Sequence, residues 1–387
     1  MISQRVRTIE PSATLTLNAK LQEMKAAGRD ILNLSVGEPD YPTPEFIREA
    51  AKFAMDNGWT RYTAAAGHIE ARQAICRHVE RTRDVKVEPS QVVISSGAKQ
   101  SLSQTLLSLV DPADEVLLPA PYWVSYPELI RLAEGVPITV ETSARENHRL
   151  TPEMLGAQLT PRTAGIILNE PGNPTGTVSS AADIAAIVEF AQENDLWLIS
   201  DEIYEGLLHD GPMHSPFSLD PDRVALISGL SKSFAMTGWR IGWTVCQPEL
   251  AGAIGRLQSQ NSSNACTVSQ ACVAPALDQY DHPDLKEMYS TFRDRRDLMV
   301  EGLSQISGVH FSNPGGAFYI FVDVSERLGA GGVADDADDL ALRLLEEHQI
   351  AVVPGPAFGA PGCVRLSFAR PESELRQAIE GIQAFLG

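Results

Sequence analysis

Between Pro89 and Cys246 the chain alternates short apolar runs with segments of helical period, and that alternation leaves few folds open. Residues 92–94, 115–118, 165–168, 196–199 and 224–227 read as short buried strands, each ending in turn residues. Between them Leu102, Leu106, Leu109 and Val110, and later Ile184, Ile187 and Phe190, keep the spacing of one helix face. Strands that alternate with helices connect by right-handed crossovers, which predicts an α/β fold with a mainly parallel sheet covered on both faces.

The flanking segments read differently. Ser12 to Gly28 carries helix signals around Leu15, Leu17, Leu21 and Met24, and residues 31–36 turn extended. Thr43-Pro44-Glu45 opens a further helix that ends near Gly58, with Thr43 as cap and Pro44 in the first turn. After a long charged amphipathic stretch over 283–303 come strand-like runs at 316–322, 350–353 and 364–368. They are interleaved with an acidic helix over 335–347, and a last helix shows Leu375, Ala378, Ile379, Ile382 and Phe385 on one face. The expected organisation is a large domain over 45–285 and a smaller, discontinuous α+β domain made of 1–44 and 286–387.

Charge and cysteine content remove several classes of function. With 31 Lys and Arg against 50 Asp and Glu, the net charge is −19, so nucleic acid and anionic membrane surfaces are not expected partners. No apolar run approaches the ~18 residues of a membrane span, and no apolar h-region follows the opening Met1-Ile2-Ser3-Gln4-Arg5, so no secretory signal is expected. Cys76, Cys246, Cys266, Cys272 and Cys363 are scattered and odd in number, which fits reduced thiols in the cytoplasm and gives no metal site.

In a doubly wound sheet ligands bind beyond the carboxyl ends of the strands. Those ends carry Ser96-Gly97-Ala98-Lys99-Gln100, Asn169 to Gly176, Ser200-Asp201-Glu202-Ile203-Tyr204, and the run Ser228-Gly229-Leu230-Ser231-Lys232 that continues to Arg240. Taken singly, each has an ordinary structural reading as a helix start, a turn, a cap, a core tyrosine or a solvated lysine. Together they bring a phosphate cradle, an amide, a carboxylate, a phenol and an amine to one place. A lysine amine can form a Schiff base with an aldehyde cofactor, and an arginine can clamp a phosphate.

These motifs resemble the class-I pyridoxal-phosphate aminotransferases, in the aspartate-aminotransferase-like branch of fold type I. The resemblance runs from about Ile9 to the C-terminus. It also rests on Gly37-Glu38-Pro39-Asp40, Pro121-Tyr122-Trp123-Val124-Ser125-Tyr126, Asn173-Pro174-Thr175-Gly176 and Val364-Arg365-Leu366-Ser367. It implies a mainly parallel seven-stranded sheet flanked by helices, plus the smaller α+β domain, and pyridoxal 5′-phosphate as cofactor. By the same resemblance Lys232 would carry the cofactor and later the Cα proton, and Asp201 would face the ring nitrogen. Asn173 and Tyr204 would hold the phenolic oxygen, and Trp123 would stack on the ring. Gly97, Ala98, Lys99, Ser228 and Arg240 would hold the phosphate. Tyr62 would reach that phosphate from a neighbouring subunit, which implies a homodimer. Arg365, helped by Gly37, Trp123 and Asn173, would bind the substrate α-carboxylate.

The implied reaction moves an amino group between an L-amino acid and a 2-oxo acid by a ping-pong mechanism, with aspartate or glutamate as donor and 2-oxoglutarate as one partner. The segment over 258–263 offers no cation for an acidic side chain, and Ala64 and His68 depart from the family pattern. An aminotransferase for aromatic, aliphatic or pathway-specific amino acids therefore stays open, as does a β-lyase or cyclase on the same scaffold. A cofactor-sensing transcription regulator needs a DNA-binding module, and no basic helix-turn-helix pattern is present.

Overall fold

The computed structural model describes residues 2–11 and 13–387, without the side chains of residues 4, 5, 13–16 and 18. Ser12 and the side chain of Leu15, both part of the expected first helix, lie outside the described residues. A helix does run over Ala13–Ala26. The strands, in chain order, are β1 Leu32–Asn33, β2 Val92–Ser95, β3 Glu115–Ala120, β4 Val136–Glu141, β5 Thr163–Asn169, β6 Trp197–Asp201, β7 Val224–Gly229 and β8 Gly242–Val245. They continue with β9 His310–Phe311, β10 Tyr319–Asp323, β11 Ile350–Ala351, β12 Val353–Pro354 and β13 Cys363–Ser367.

Seven of these strands form one sheet in the order β2-β8-β7-β6-β5-β3-β4. All pairings are parallel except those of β8, which runs antiparallel to both β2 and β7. The expected mainly parallel, seven-stranded sheet is therefore present. The five runs read as strands from their apolar content are β2, β3, β5, β6 and β7. The other two lack that signal. At the sheet edge, β4 has exposed and half-buried positions with only Val140 buried and contains Pro137, and β8 is short and opens with Gly242.

Strands covered on both faces read as continuous apolar runs because alternate residues enter different cores. Ile166 and Leu168 pack in one cluster with Ile94, Leu117, Leu198 and Leu226. Ile167 joins the opposite cluster with Val93, Val116, Ile199 and Ile227, under Leu102 and Leu106 of the helix Ala98–Leu109.

A second sheet, in the order β12-β13-β10-β9, is antiparallel, and β1 pairs in parallel with β11. The helix Pro283–Leu303 begins and ends where the sequence places it, and the last helix, Glu372–Leu386, buries the expected apolar face.

One local expectation is corrected. Thr43 is not the cap of the helix Glu45–Asp56, because Pro44 holds that position. The Thr43 hydroxyl donates to the Ala235 carbonyl and accepts from Trp239 Nε1, so it ties the turn after Lys232 to the N-terminal segment.

Candidate active site

A cavity of about 560 Å³ opens at the carboxyl ends of β5, β6 and β7, within the size range of small-molecule sites. This is also where the strand order reverses, between β3 and β5, the usual ligand position in such sheets. Gly37, Ala98, Lys99, Trp123, Asn173, Asp201, Tyr204, Lys232, Arg240 and Arg365 all line it. Residues 37 and 365 come from outside the seven-stranded sheet, so the cavity is closed by the second sheet and the N-terminal segment.

Asp201 ends β6 and is 3 % exposed. Its Oδ2 accepts from the Tyr126 hydroxyl at 2.8 Å, and its Oδ1 accepts from the Ile203 amide. Burial pushes the carboxyl up to about 6 against the opposing effect of these donors and of Lys232. Lys232 is half-buried on the loop after β7, and its Nζ donates to the Gly37 carbonyl. Burial brings that amine down to about 8, with Glu38 and Asp201 pulling the other way and Arg365 and Arg240 reinforcing the drop. An amine at that value is partly unprotonated near neutral pH and therefore nucleophilic.

Beside this pair runs a buried polar chain. Arg365 on β13 is 2 % exposed and donates from Nη1 to Asn173 Oδ1 at 3.0 Å and from Nη2 to the Ser35 carbonyl at 2.8 Å. Its Nε has no hydrogen-bond partner, and its guanidinium lies 4.5 Å from the Tyr319 ring centre and 5.1 Å from that of Phe358. Asn173 Nδ2 donates to the Tyr204 hydroxyl at 3.3 Å, which lies 3.0 Å from the Tyr319 hydroxyl. Burial raises both tyrosines, so both phenols are protonated donors.

At the other end, Gly97 precedes the helix Ala98–Leu109, whose first amides have no acceptor within the helix and suit an anion. Gly97 has φ +91°, and a Cβ there would lie 2.5 Å from Arg240 Nη2, so glycine is what lets the guanidinium lie across the helix start. Gly97 thus shapes the cradle without lining the cavity. Lys99 Nζ sits 4.8 Å from the Trp123 ring centre.

Besides Gly97, two expected residues do not line the cavity. The Ser228 hydroxyl is buried and donates to Glu205 Oε1 at 2.7 Å, and Ser228 does not line the cavity, whereas Ser231 does. The seryl pattern around the lysine does not tell these two apart. Tyr62 is 88 % exposed and does not line the cavity in the isolated chain. His68 packs against Trp59, and Gln258 is buried, donating to the Ala65 and Ile94 carbonyls, so neither faces the cavity.

The cavity also takes residues to which the sequence assigned no role: Tyr126, Asn169 and Glu38, which stand in quoted motifs, and Tyr319, which does not. Tyr126 stands in a quoted motif, but nothing in its spacing shows that it meets Asp201.

The residues present fit pyridoxal phosphate. An amine, a buried carboxylate raised by desolvation and an arginine-lined helix start share one cavity, and the buried Arg365 guanidinium lines it.

The family model "Aminotransferase class I and II" matches residues 29–382. The chain is 42% identical to an aspartate/prephenate aminotransferase of Cereibacter sphaeroides, over 99% of this chain and 98% of the relative. It is 38% identical to an aspartate aminotransferase of Bacillus subtilis, over 100% and 98%. Among solved structures it is similar to the aspartate aminotransferase from Thermus thermophilus with maleate, with a TM-score of 0.95 and 39% identity over the whole of both chains.

Proposed function

The chain belongs to the aminotransferase class I and II family, and from that premise we propose that it is a pyridoxal-phosphate-dependent transaminase of the aspartate/glutamate type, with 2-oxoglutarate as one partner. The observation that carries the reading is the opposition of Lys232 and Asp201 in one cavity with Arg365 beside them. The names of its relatives, aspartate and aspartate/prephenate aminotransferases, support the substrate class. When bound, pyridoxal phosphate supplies an aldehyde that condenses with amines and a protonated ring that accepts the electron pair left at Cα.

The residues then divide the work. The Ala98 and Lys99 amides and Arg240 would hold the phosphate, and Asp201, kept in place by Tyr126, would hold the ring-nitrogen proton. Tyr204 and Asn173 would bind the phenolic oxygen, and Trp123 would cover the ring. Arg365, which lines the cavity, would take the α-carboxylate. Lys232 Nζ would hold the cofactor aldehyde and would be the base for the Cα proton. The enzyme keeps the amino group between two half-reactions, so the kinetics are expected to be ping-pong. Lys99, whose amine rests over Trp123, is the cation left over for a side-chain carboxylate.

The same reading includes a homodimer, supported by the outward-facing Tyr62, and a reducing cytoplasmic setting, supported by five free cysteines. No helix among the described residues is long and apolar enough to cross a membrane. The division into a unit over 45–285 and one made of 1–44 and 286–387 is part of the reading as well. Supporting it, the seven-stranded sheet lies within the first range and the four-stranded sheet within the second.

The test is an absorption spectrum of the cofactor-loaded protein before and after L-glutamate, with no oxo acid present. Loss of the aldehyde-form band with an equal amount of 2-oxoglutarate is the expected result. An unchanged spectrum removes glutamate as donor, and elimination products without the amine form would mean a lyase.

A further inference from the structure

Building on the transaminase reading, we propose that Glu38 and the Gly37 carbonyl form the receptor for the α-ammonium group of the incoming amino acid. Only two carboxylates line the cavity among the described residues, Asp201 and Glu38. Asp201 is buried at the strand end and occupied by Tyr126 and the Ile203 amide. Glu38 stands at the exposed mouth, and its Oε2 accepts from the Thr237 hydroxyl at 2.9 Å, which fixes the carboxylate against the cavity wall.

A second observation shows what this wall receives. The Gly37 carbonyl accepts from Lys232 Nζ, so an amine donor already sits at this peptide. Glu38 favours the charged form of that amine, while Arg365 and Arg240 oppose it and Asp201 assists from the far side. When the Lys232 amine is taken up by the cofactor, the carbonyl loses this donor, and a substrate ammonium is the group that matches it in charge and hydrogen bonding.

Arg365 sets the orientation. Its Nη2 donates to the Ser35 carbonyl, two residues before Gly37. The Arg365 guanidinium for the carboxylate is thus tied to the same short segment that carries the carbonyl–carboxylate pair for the ammonium. An α-amino acid carries these two charges on two substituents of one carbon. A 2-oxo acid carries only the first, so this receptor reads the donor and not the acceptor.

The experiment measures the two half-reactions of the holoenzyme separately, L-glutamate with the aldehyde form and 2-oxoglutarate with the amine form. In Glu38→Gln the apparent dissociation constant for glutamate is expected to rise about tenfold, as for loss of a charged hydrogen-bond partner, with that for 2-oxoglutarate unchanged. Thr237→Val, which frees the Glu38 carboxylate, shifts it the same way by a smaller factor. An equal loss for both substrates, or no loss for glutamate, overturns the proposal.

A second readout needs no turnover. In the full chain stripped of cofactor, the pH at which Lys232 becomes reactive towards an amine-acylating reagent is expected to fall by about half a unit in Glu38→Gln. An unmoved pH overturns the proposal even where the spectrum shows that glutamate is not the donor, so the two failures are told apart.

Discussion

Asp201 owes its character to opposing local effects. Desolvation raises it to about 6, and the Tyr126 hydroxyl at 2.8 Å lowers it. Replacing Tyr126 with phenylalanine removes a donor to the charged form, so the carboxyl rises further. The acid limb of the pH profile of kcat/KM is then expected to move up by about one pH unit, the worth of one hydrogen bond to a charged group. An acid limb that stays in place in Tyr126→Phe separates Asp201 from that limb. The same logic explains Arg365, where burial against Tyr319 and Phe358 leaves a desolvated guanidinium with an N–H to spare.

At the scale of elements, the turn after β6 carries both Asp201 and Tyr204 and is anchored from behind by ion pairs. Arg83, the last residue of the helix Ile69–Arg83, is paired with Glu202 and Glu205, and His78 Nε2 lies 3.3 Å from Glu205. Glu202 Oε1 accepts from Ser200 and Ser215 as well. Arg83→Met removes the guanidinium that two buried carboxylates share, and denaturant unfolding is expected to show a loss of roughly 3–5 kcal/mol.

Glu170, directly after β5, behaves in the opposite way. It is buried, accepts from the Ser179 amide and hydroxyl, and is lifted from 4.5 to about 7, chiefly by burial. Between those values the unfolded chain holds fewer protons than the folded one, so this group's contribution to stability falls as pH rises through that window. Glu170→Gln is expected to stabilise the protein at pH 8 by up to about 3 kcal/mol and to change little below pH 4. Melting curves of both proteins at the two pH values decide it.

For the whole molecule, the decisive fact is that Tyr62 points outward with 88 % of its surface exposed, whereas Ala98, Lys99, Trp123, Asn173, Asp201, Tyr204, Lys232 and Arg240 line the cavity. If Tyr62 acts across a two-fold interface, Lys232→Ala and Tyr62→Ala chains, each impaired alone, complement one another on mixing. Half of the dimers are then mixed and each has one intact site, so activity is expected to recover to about a quarter of wild type. No recovery on mixing assigns Tyr62 to its own chain or to no site.

Much of this molecule is written in local pattern. Both-faces-buried strands advertise themselves as unbroken apolar runs, which is why β2, β3, β5, β6 and β7 were legible, and their ends named Asp201, Lys232 and Asn173. Helix faces such as Leu375 to Phe385 follow from a period of 3.6 for the same reason. What periodicity cannot express is where a side chain points once the chain has turned. Only the tertiary structure sent Ser228 to Glu205 and left Ser231 at the cavity, spent Thr43 on a distant turn, and brought Tyr126 to Asp201 across 75 residues. Those outcomes depend on contacts between segments far apart in sequence, in which a buried polar atom must find a partner wherever the fold supplies one.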